Sequence, residues 1–262
     1  KAPSGHKTDR LDAWSLAEAL RLDGQQWKAL QPLDPLTQQL QLLCRDEIGL
    51  IEQRTALINQ LQQALVEYYP AALQAFEDWT QPFCWDFIIQ FPTPEKLATA
   101  GRRRWEKFLH TQKLWRPETA TKRMEIFEHA RQFCGSAAVT SAKSLLALSL
   151  AKLLNALQLQ LDQYRQQIET LFNQHPDHDL FGSLPGAAQT LGPRLLGEIG
   201  GNPRRFEDTE ALQCVAGTAP VSFQSGQIHR VHVRYQCNKI RRHTVHLWAQ
   251  CSLRVCPWAE VY

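Results

Sequence analysis

LALSLAKLLNALQLQLDQYRQQIETL, residues 146–171, decides what kind of fold this chain can have. Leu146, Leu150, Leu153, Leu157, Leu161, Tyr164, Ile168 and Leu171 recur at steps of three and four, which places them on one face of a helix. One step of four replaces a step of three at Leu161, and otherwise the rhythm is that of a coiled-coil seam. The helix should stop at the His-Pro-Asp of residues 175–177, because proline cannot continue it. Such a stripe needs burial, either within the chain or against a second copy.

Working outward, the same reasoning predicts helices over most of the chain. A run from Leu36 to Tyr69 carries Leu36, Leu40, Leu43, Leu50, Leu57 and Leu61, with glutamines on its other face. It begins after the turn PLDP and is ended by Pro70. The segment Thr8–Leu22 has Thr8 or Asp9 as its N-cap and Leu11, Leu16, Ala17 and Leu20 at helical spacing. Residues 71–135 are rich in aromatic side chains, a small helical core, with Thr93 capping and Pro94 opening one of its helices.

Beyond residue 183 the character changes. LPGAAQTLGPRLLGEIGG (184–201) reads as a Pro-Gly turn and a short helix stopped by paired glycines, and Thr209–Ala216 as another short helix. The alternating IHRVHVRY (228–235) predicts a strand, and residues 238–254 a basic helix able to bury Ile240, Val245, Leu247, Trp248 and Leu253. The fold class is therefore mainly α.

Composition narrows the function. Charged residues are 21% and hydrophobic ones 44%, the balance of a chain with a core rather than a disordered one. The sequence offers no apolar run of about 18 residues and no signal peptide, so no membrane span is expected. Seven cysteines without a CxxC pair suit a reducing cytoplasm. A net charge of +3 says little, but its distribution says more: Arg102–Arg104 stand together, and residues 229–254 hold six Lys and Arg and no acid. Clusters of this kind suit a phosphate backbone or a solvated surface.

Four constellations could carry chemistry. Asp9 and Asp12, three apart in KTDRLDAW, would share a helix face and could hold a divalent cation, or simply favour the positive end of the helix dipole. The Pro-Gly turn at 185–186 resembles the hairpin of a helix-hairpin-helix element, with Ala188 where a second glycine usually stands; a plain helix-turn-helix packing unit fits equally. HRVH and HTVH, with Cys237, Cys251 and Cys256, offer zinc-ligand types, but no CxxC anchors them and His229 and His232 fall on opposite faces of a strand. Ser225, before Gly226 in AGTAPVSFQSG, is either a turn residue or a nucleophile.

Together these motifs resemble, in order and over essentially the whole chain, the transposases of the insertion-sequence one-ten family. The likeness runs through KTDRLDAW, the leucine helix ending in YYP, DFIIQFPT, HPDHDLFGSLPGA, GPRLLGEIGG, RRFED, AGTAPVSFQSG, VHVRYQC and HLWAQCSLRVCPWAEVY. The resemblance implies a mobile-element recombinase guided by a bridge RNA. It implies a remainder of a RuvC-like (ribonuclease H-like) domain with the long helix at 1–69, a helical coiled-coil connector at 70–178, and an α-rich C-terminal transposase domain at 179–262. Asp9 and Asp12 become the third and fourth acids of a Mg²⁺ site whose first two lie upstream of Lys1 in the family, so the chain reads as part of a longer polypeptide. Ser225 becomes the nucleophile that forms a phosphoserine ester with DNA. Arg230, Arg234, Lys239, Arg241 and Arg242 are expected to hold nucleic-acid backbone. Donor and target DNA, bridge RNA and further copies of the chain in a homodimer or tetramer are the expected partners, and a nucleoid-associated cytoplasmic location follows. The alternative is a non-catalytic nucleic-acid-binding remnant of such an enzyme.

Overall fold

The computed structural model describes residues 8–27, 32–132, 134–202 and 205–261. It is mainly helical, as expected, with one two-stranded ribbon. The chain divides into two compact units, Lys1–Asp34 and Pro35–Tyr262.

The first unit contains helix α1 (Asp9–Asp23). Thr8 caps it, its hydroxyl accepting from the Leu11 amide at 3.3 Å, and Asp9 and Asp12 sit in its first turn. No residue of α1 is buried, and Trp14, Leu16, Leu20 and Leu22 are exposed.

The second unit is built on two long antiparallel helices, α2 (Pro35–Tyr68) and α8 (Ala137–Gln174). Side-chain bonds fix their direction: Thr37 to His175, Arg165 to Glu47, Arg54 to Gln158 and Lys143 to Glu67, one number falling as the other rises. The leucine stripe is thus covered largely inside the chain. Leu150, Leu161 and Ile168 are buried, together with Ala147, Ala151 and Leu154, which fall outside the three-four pattern. Leu146 and Leu153 are turned outward at 45% and 55% exposure. By length and composition α8 is also apolar enough to cross a membrane, although its apolar residues do not form an uninterrupted run. Here it is a core helix, because one side packs along α2 and on both hydrophobic clusters.

Those clusters lie at opposite ends of the α2–α8 pair. The first gathers α3 (Pro70–Ala75), α4 (Pro82–Gln90), α5 (Pro94–Ala100), α6 (Arg102–Thr111) and α7 (Pro117–Glu128) around the C-terminal half of α2 and the N-terminal half of α8. Phe87 is its hub, with the rings of Phe76, Phe91, Phe108 and Phe127 at 5.0, 5.3, 5.6 and 5.3 Å. Four of these five short helices open on a proline, whose missing N–H costs nothing at that position.

The second cluster joins Leu40 and Cys44 of α2 and Ile168 and Phe172 of α8 to α9 (His178–Gly182), α10 (Ala188–Ile199) and α12 (Lys239–Ser252). α11 (Thr209–Ala216), β1 (Val221–Ser225), β2 (Ile228–His232) and α13 (Pro257–Val261) complete the chain. On α12, Val245, Leu247 and Trp248 pack on this core as expected, whereas Leu253 is 49% exposed. All seven cysteines are free thiols.

Candidate nucleic-acid interface and nucleophile

The strands β1 and β2 form an antiparallel hairpin in the register Val221 with His232, Ser222 with Val231, Phe223 with Arg230, Gln224 with His229 and Ser225 with Ile228. The loop is only Gly226-Gln227. Gly226 has φ +58°, which a side chain rarely tolerates, and glycine at the first of two loop positions is the type II′ arrangement that matches strand twist. Ser225 is thus the last strand residue before a glycine turn, with its hydroxyl at an exposed tip.

Every residue of both strands is exposed, including Phe223 at 60% and Val231 at 58%. Alternation puts Val221, Phe223, Ser225, Ile228, Arg230 and His232 on one face. His229 lies on the other. His232 is two same-face pairs from Ser225, about 13 Å along the strand at 3.3 Å per residue, so neither histidine stands within hydrogen-bond reach of the Ser225 hydroxyl.

The five basic candidates separate once their partners are seen. Arg230 and Lys239 are exposed. Arg234 reaches back from Nε to the Ala219 carbonyl at 3.4 Å and from Nη2 to the Cys214 sulfur at 3.4 Å, and Arg242 Nη1 donates to the Arg234 carbonyl at 3.1 Å. These two clamp the base of the hairpin.

Arg241 corrects the sequence reading. It is buried, with Nε 3.3 Å from Glu198 Oε2, and is turned inward rather than toward a phosphate. Burial holds its guanidinium below the usual arginine value, against the pull of Glu198. Helix periodicity explains this: Arg241 shares its face with Thr244 and Val245, which pack inward.

Sequence reading also missed the ionic layer that docks this end of the molecule. Glu198 on α10 accepts two hydrogen bonds from Arg45 of α2 at 2.7 and 3.0 Å, which raise the arginine further. Glu47 of α2, 3% exposed, accepts from Arg194 of α10 at 2.9 Å and from Arg165 of α8 at 3.3 Å. Nothing in the linear sequence marks these acids as buried.

The Pro-Gly turn joins α9 to α10, and α12 packs into it, the arrangement of a plain packing unit. Trp248 Nε1 donates to the Pro185 carbonyl at 2.9 Å. A Cβ on Gly186, at φ +75°, would fall 2.6 Å from the Ser252 nitrogen. Internal packing therefore accounts for this glycine. Ala188, in the second glycine's place, has φ +43° and keeps a glycine-like backbone.

Asp9 and Asp12 lie on the exposed first turn of α1, one helical step apart. Two carboxylates on one face are hard oxygen donors of the type Mg²⁺ takes, and they fit part of such a site. Among the described residues, no three His, Cys, Asp or Glu side chains converge, so the histidines and cysteines of HRVH and HTVH do not assemble a zinc site.

Residues 1–70 match the family model DEDD_Tnp_IS110, described as Transposase, and residues 178–262 match the model for the Transposase IS116/IS110/IS902 family. The chain is 33% identical over 267 residues to the mini-circle protein named as a putative transposase for IS117 in Streptomyces coelicolor, covering 99% of this chain. It is 26% identical over 98% of its length to the 42 kDa protein of insertion element IS900 from Mycobacterium paratuberculosis. Against the 43.6 kDa protein of insertion element IS110 from Streptomyces coelicolor it is 25% identical over 99% of its length. The chain spans 64% of the length of each of these relatives. With both family models matched in order on one chain, the protein carries the two domains of IS110-family transposases.

Proposed function

We propose that the protein acts in the movement of an insertion sequence, cutting and rejoining DNA through an ester between Ser225 and a DNA phosphate. The observation that carries this reading is the place of Ser225, exposed at the tip of a hairpin in a stretch, Ala211 to Ala259, without a single acidic residue. Phosphate approaches such a surface without repulsion.

In the proposed step the Ser225 oxygen bonds to phosphorus while one bridging P–O bond of the DNA breaks. The serine proton ends on the released sugar oxygen. Attack by the hydroxyl of a second strand reverses this, restores Ser225 and joins the strands, so bond energy is conserved and no nucleotide cofactor is required. Asp9 and Asp12 would hold Mg²⁺, which when bound supplies positive charge to a reacting phosphate. Arg230 and Lys239 would hold nucleic-acid backbone.

Family likeness supports the finer parts of the reading. α1 would belong to a RuvC-like domain, and its exposed Trp14, Leu16 and Leu20 support its burial in a larger unit. A bridge RNA would select donor and target DNA by pairing. The outward Leu146 and Leu153 support association into a dimer or tetramer through α8.

The test is a denaturing gel, with labelled DNA and Mg²⁺, of a full-length protein that carries all four acids the family likeness implies. Asp9 and Asp12 would supply only half of the metal site, so this chain alone should bind without cutting. A covalent protein–DNA band that disappears in Ser225→Ala, with nucleic-acid binding retained, is the expected result. A band that survives Ser225→Ala refutes the serine assignment. Salt-dependent binding with no band under any condition would assign the chain to nucleic-acid binding alone.

A further inference from the structure

Phe223 and Arg230 stand directly opposite one another, and Ser225 is the next residue along the same face. Opposed residues have Cβ atoms about 5 Å apart, same-face neighbours on one strand lie about 7 Å apart, and diagonal neighbours lie within about 8 Å. An aromatic ring, a guanidinium and the hydroxyl therefore share one small patch, with Arg230 long enough to reach over Ser225.

Two further observations bear on what this patch meets. Arg234, Arg241 and Arg242 are all engaged within the protein, whereas the Arg230 side chain, among the described residues, has no hydrogen-bond or carboxylate partner. The hairpin is also solvated on both faces although it carries Phe223, Ile228 and Val231, and a lone two-stranded ribbon is only marginally stable in water. A partner laid on it would supply the burial it lacks. The lack of any acid from Ala211 to Ala259 makes the complementary partner a polyanion, and the exposed ring gives a base a surface to stack on.

We propose that Phe223 and Arg230 form a clamp for a single strand of DNA. Phe223 stacks on the base beside the phosphate presented to Ser225, and Arg230 grips that phosphate's non-bridging oxygens through its forked donors. Naming that phosphate as the reacting one rests on the serine reading; the clamp itself does not.

The test uses a single-stranded DNA carrying 2-aminopurine, whose fluorescence is quenched when it stacks, alongside the covalent-adduct gel. Phe223→Ala should abolish quenching and weaken binding about tenfold to a hundredfold, and Phe223→Trp should restore both. Arg230→Ala should slow adduct formation at least a hundredfold, with Arg230→Lys recovering only part because an ammonium is a point charge. Val231→Ala, on the opposite face, should change neither readout. Quenching unaltered by Phe223→Ala, or an adduct rate unaltered by Arg230→Ala, overturns the clamp. So does loss in Val231→Ala equal to that in Phe223→Ala, or quenching with RNA of the same sequence but not with DNA. An adduct surviving Ser225→Ala while Phe223→Ala still removes quenching overturns the serine reading alone.

Discussion

Replacing Glu198 by alanine should loosen the end of the protein that carries the hairpin. Glu198 is 3% exposed and holds Arg45 by two hydrogen bonds of 2.7 and 3.0 Å, with Arg241 Nε at 3.3 Å. Alanine leaves Arg241, itself 8% exposed, without its carboxylate. Removing one member of a buried pair costs about 3–5 kcal/mol, since the other charge stays desolvated. Arg45 can escape part of that cost because its side chain is already 29% exposed. The lower end applies, about 3 kcal/mol, equivalent to a fall in Tm of roughly 6–12 °C for a domain of this size. Urea unfolding followed by far-ultraviolet circular dichroism and tryptophan fluorescence reads it as a lower midpoint at unchanged slope. Glu198→Leu combined with Arg241→Met should recover most of the loss, because neither buried charge then remains. A Glu198→Ala protein within about 1 kcal/mol of the parent would refute the argument that this pair is desolvated and holds α2, α10 and α12 together.

Other consequences are equally direct. Ala188→Gly should raise stability by about 1 kcal/mol by relieving a left-handed backbone, while Ala187→Gly, at φ −73°, should lower it; urea midpoints decide both. Burial pushes the Cys44 thiol up to about 12 and the Cys84 thiol higher still, so neither forms thiolate at pH 8 in the folded protein. A thiol-reactive dye at that pH should label exposed Cys134 promptly and these two only on unfolding; prompt labelling of Cys44 would contradict its burial. Arg230→Ala should reduce the salt slope of single-stranded DNA binding by about 0.7 for the one phosphate it neutralises, whereas Arg241→Ala should lower the unfolding midpoint and leave the salt slope unchanged. If α8 is an association face, Leu146→Glu with Leu153→Glu should reduce the mass seen by light scattering; a parent already monomeric at micromolar concentration would exclude it.

Local chemistry was legible in the sequence because its causes lie within a few residues. Thr8 and Thr93 cap helices where their side chains can reach the third amide onward, and Pro176 stops α8 because its ring cannot continue the ladder. The helix Thr209–Ala216 and the strand within IHRVHVRY were legible for the same reason, as was the separation of His229 from His232, which a period of two dictates. Periodicity could not say which helix would cover the leucines of 146–171; α2 does so, through pairings more than a hundred residues away in sequence such as Thr37 with His175. Nor could composition tell Arg230 from Arg241. Both stand in one acid-free basic run, yet one faces solvent beside Ser225 and the other is buried on Glu198. A charge carries no mark of its own burial. Only the docking of α12 on α10, and of α10 on α2, decides it, because desolvation and pairing depend on neighbours from distant parts of the chain.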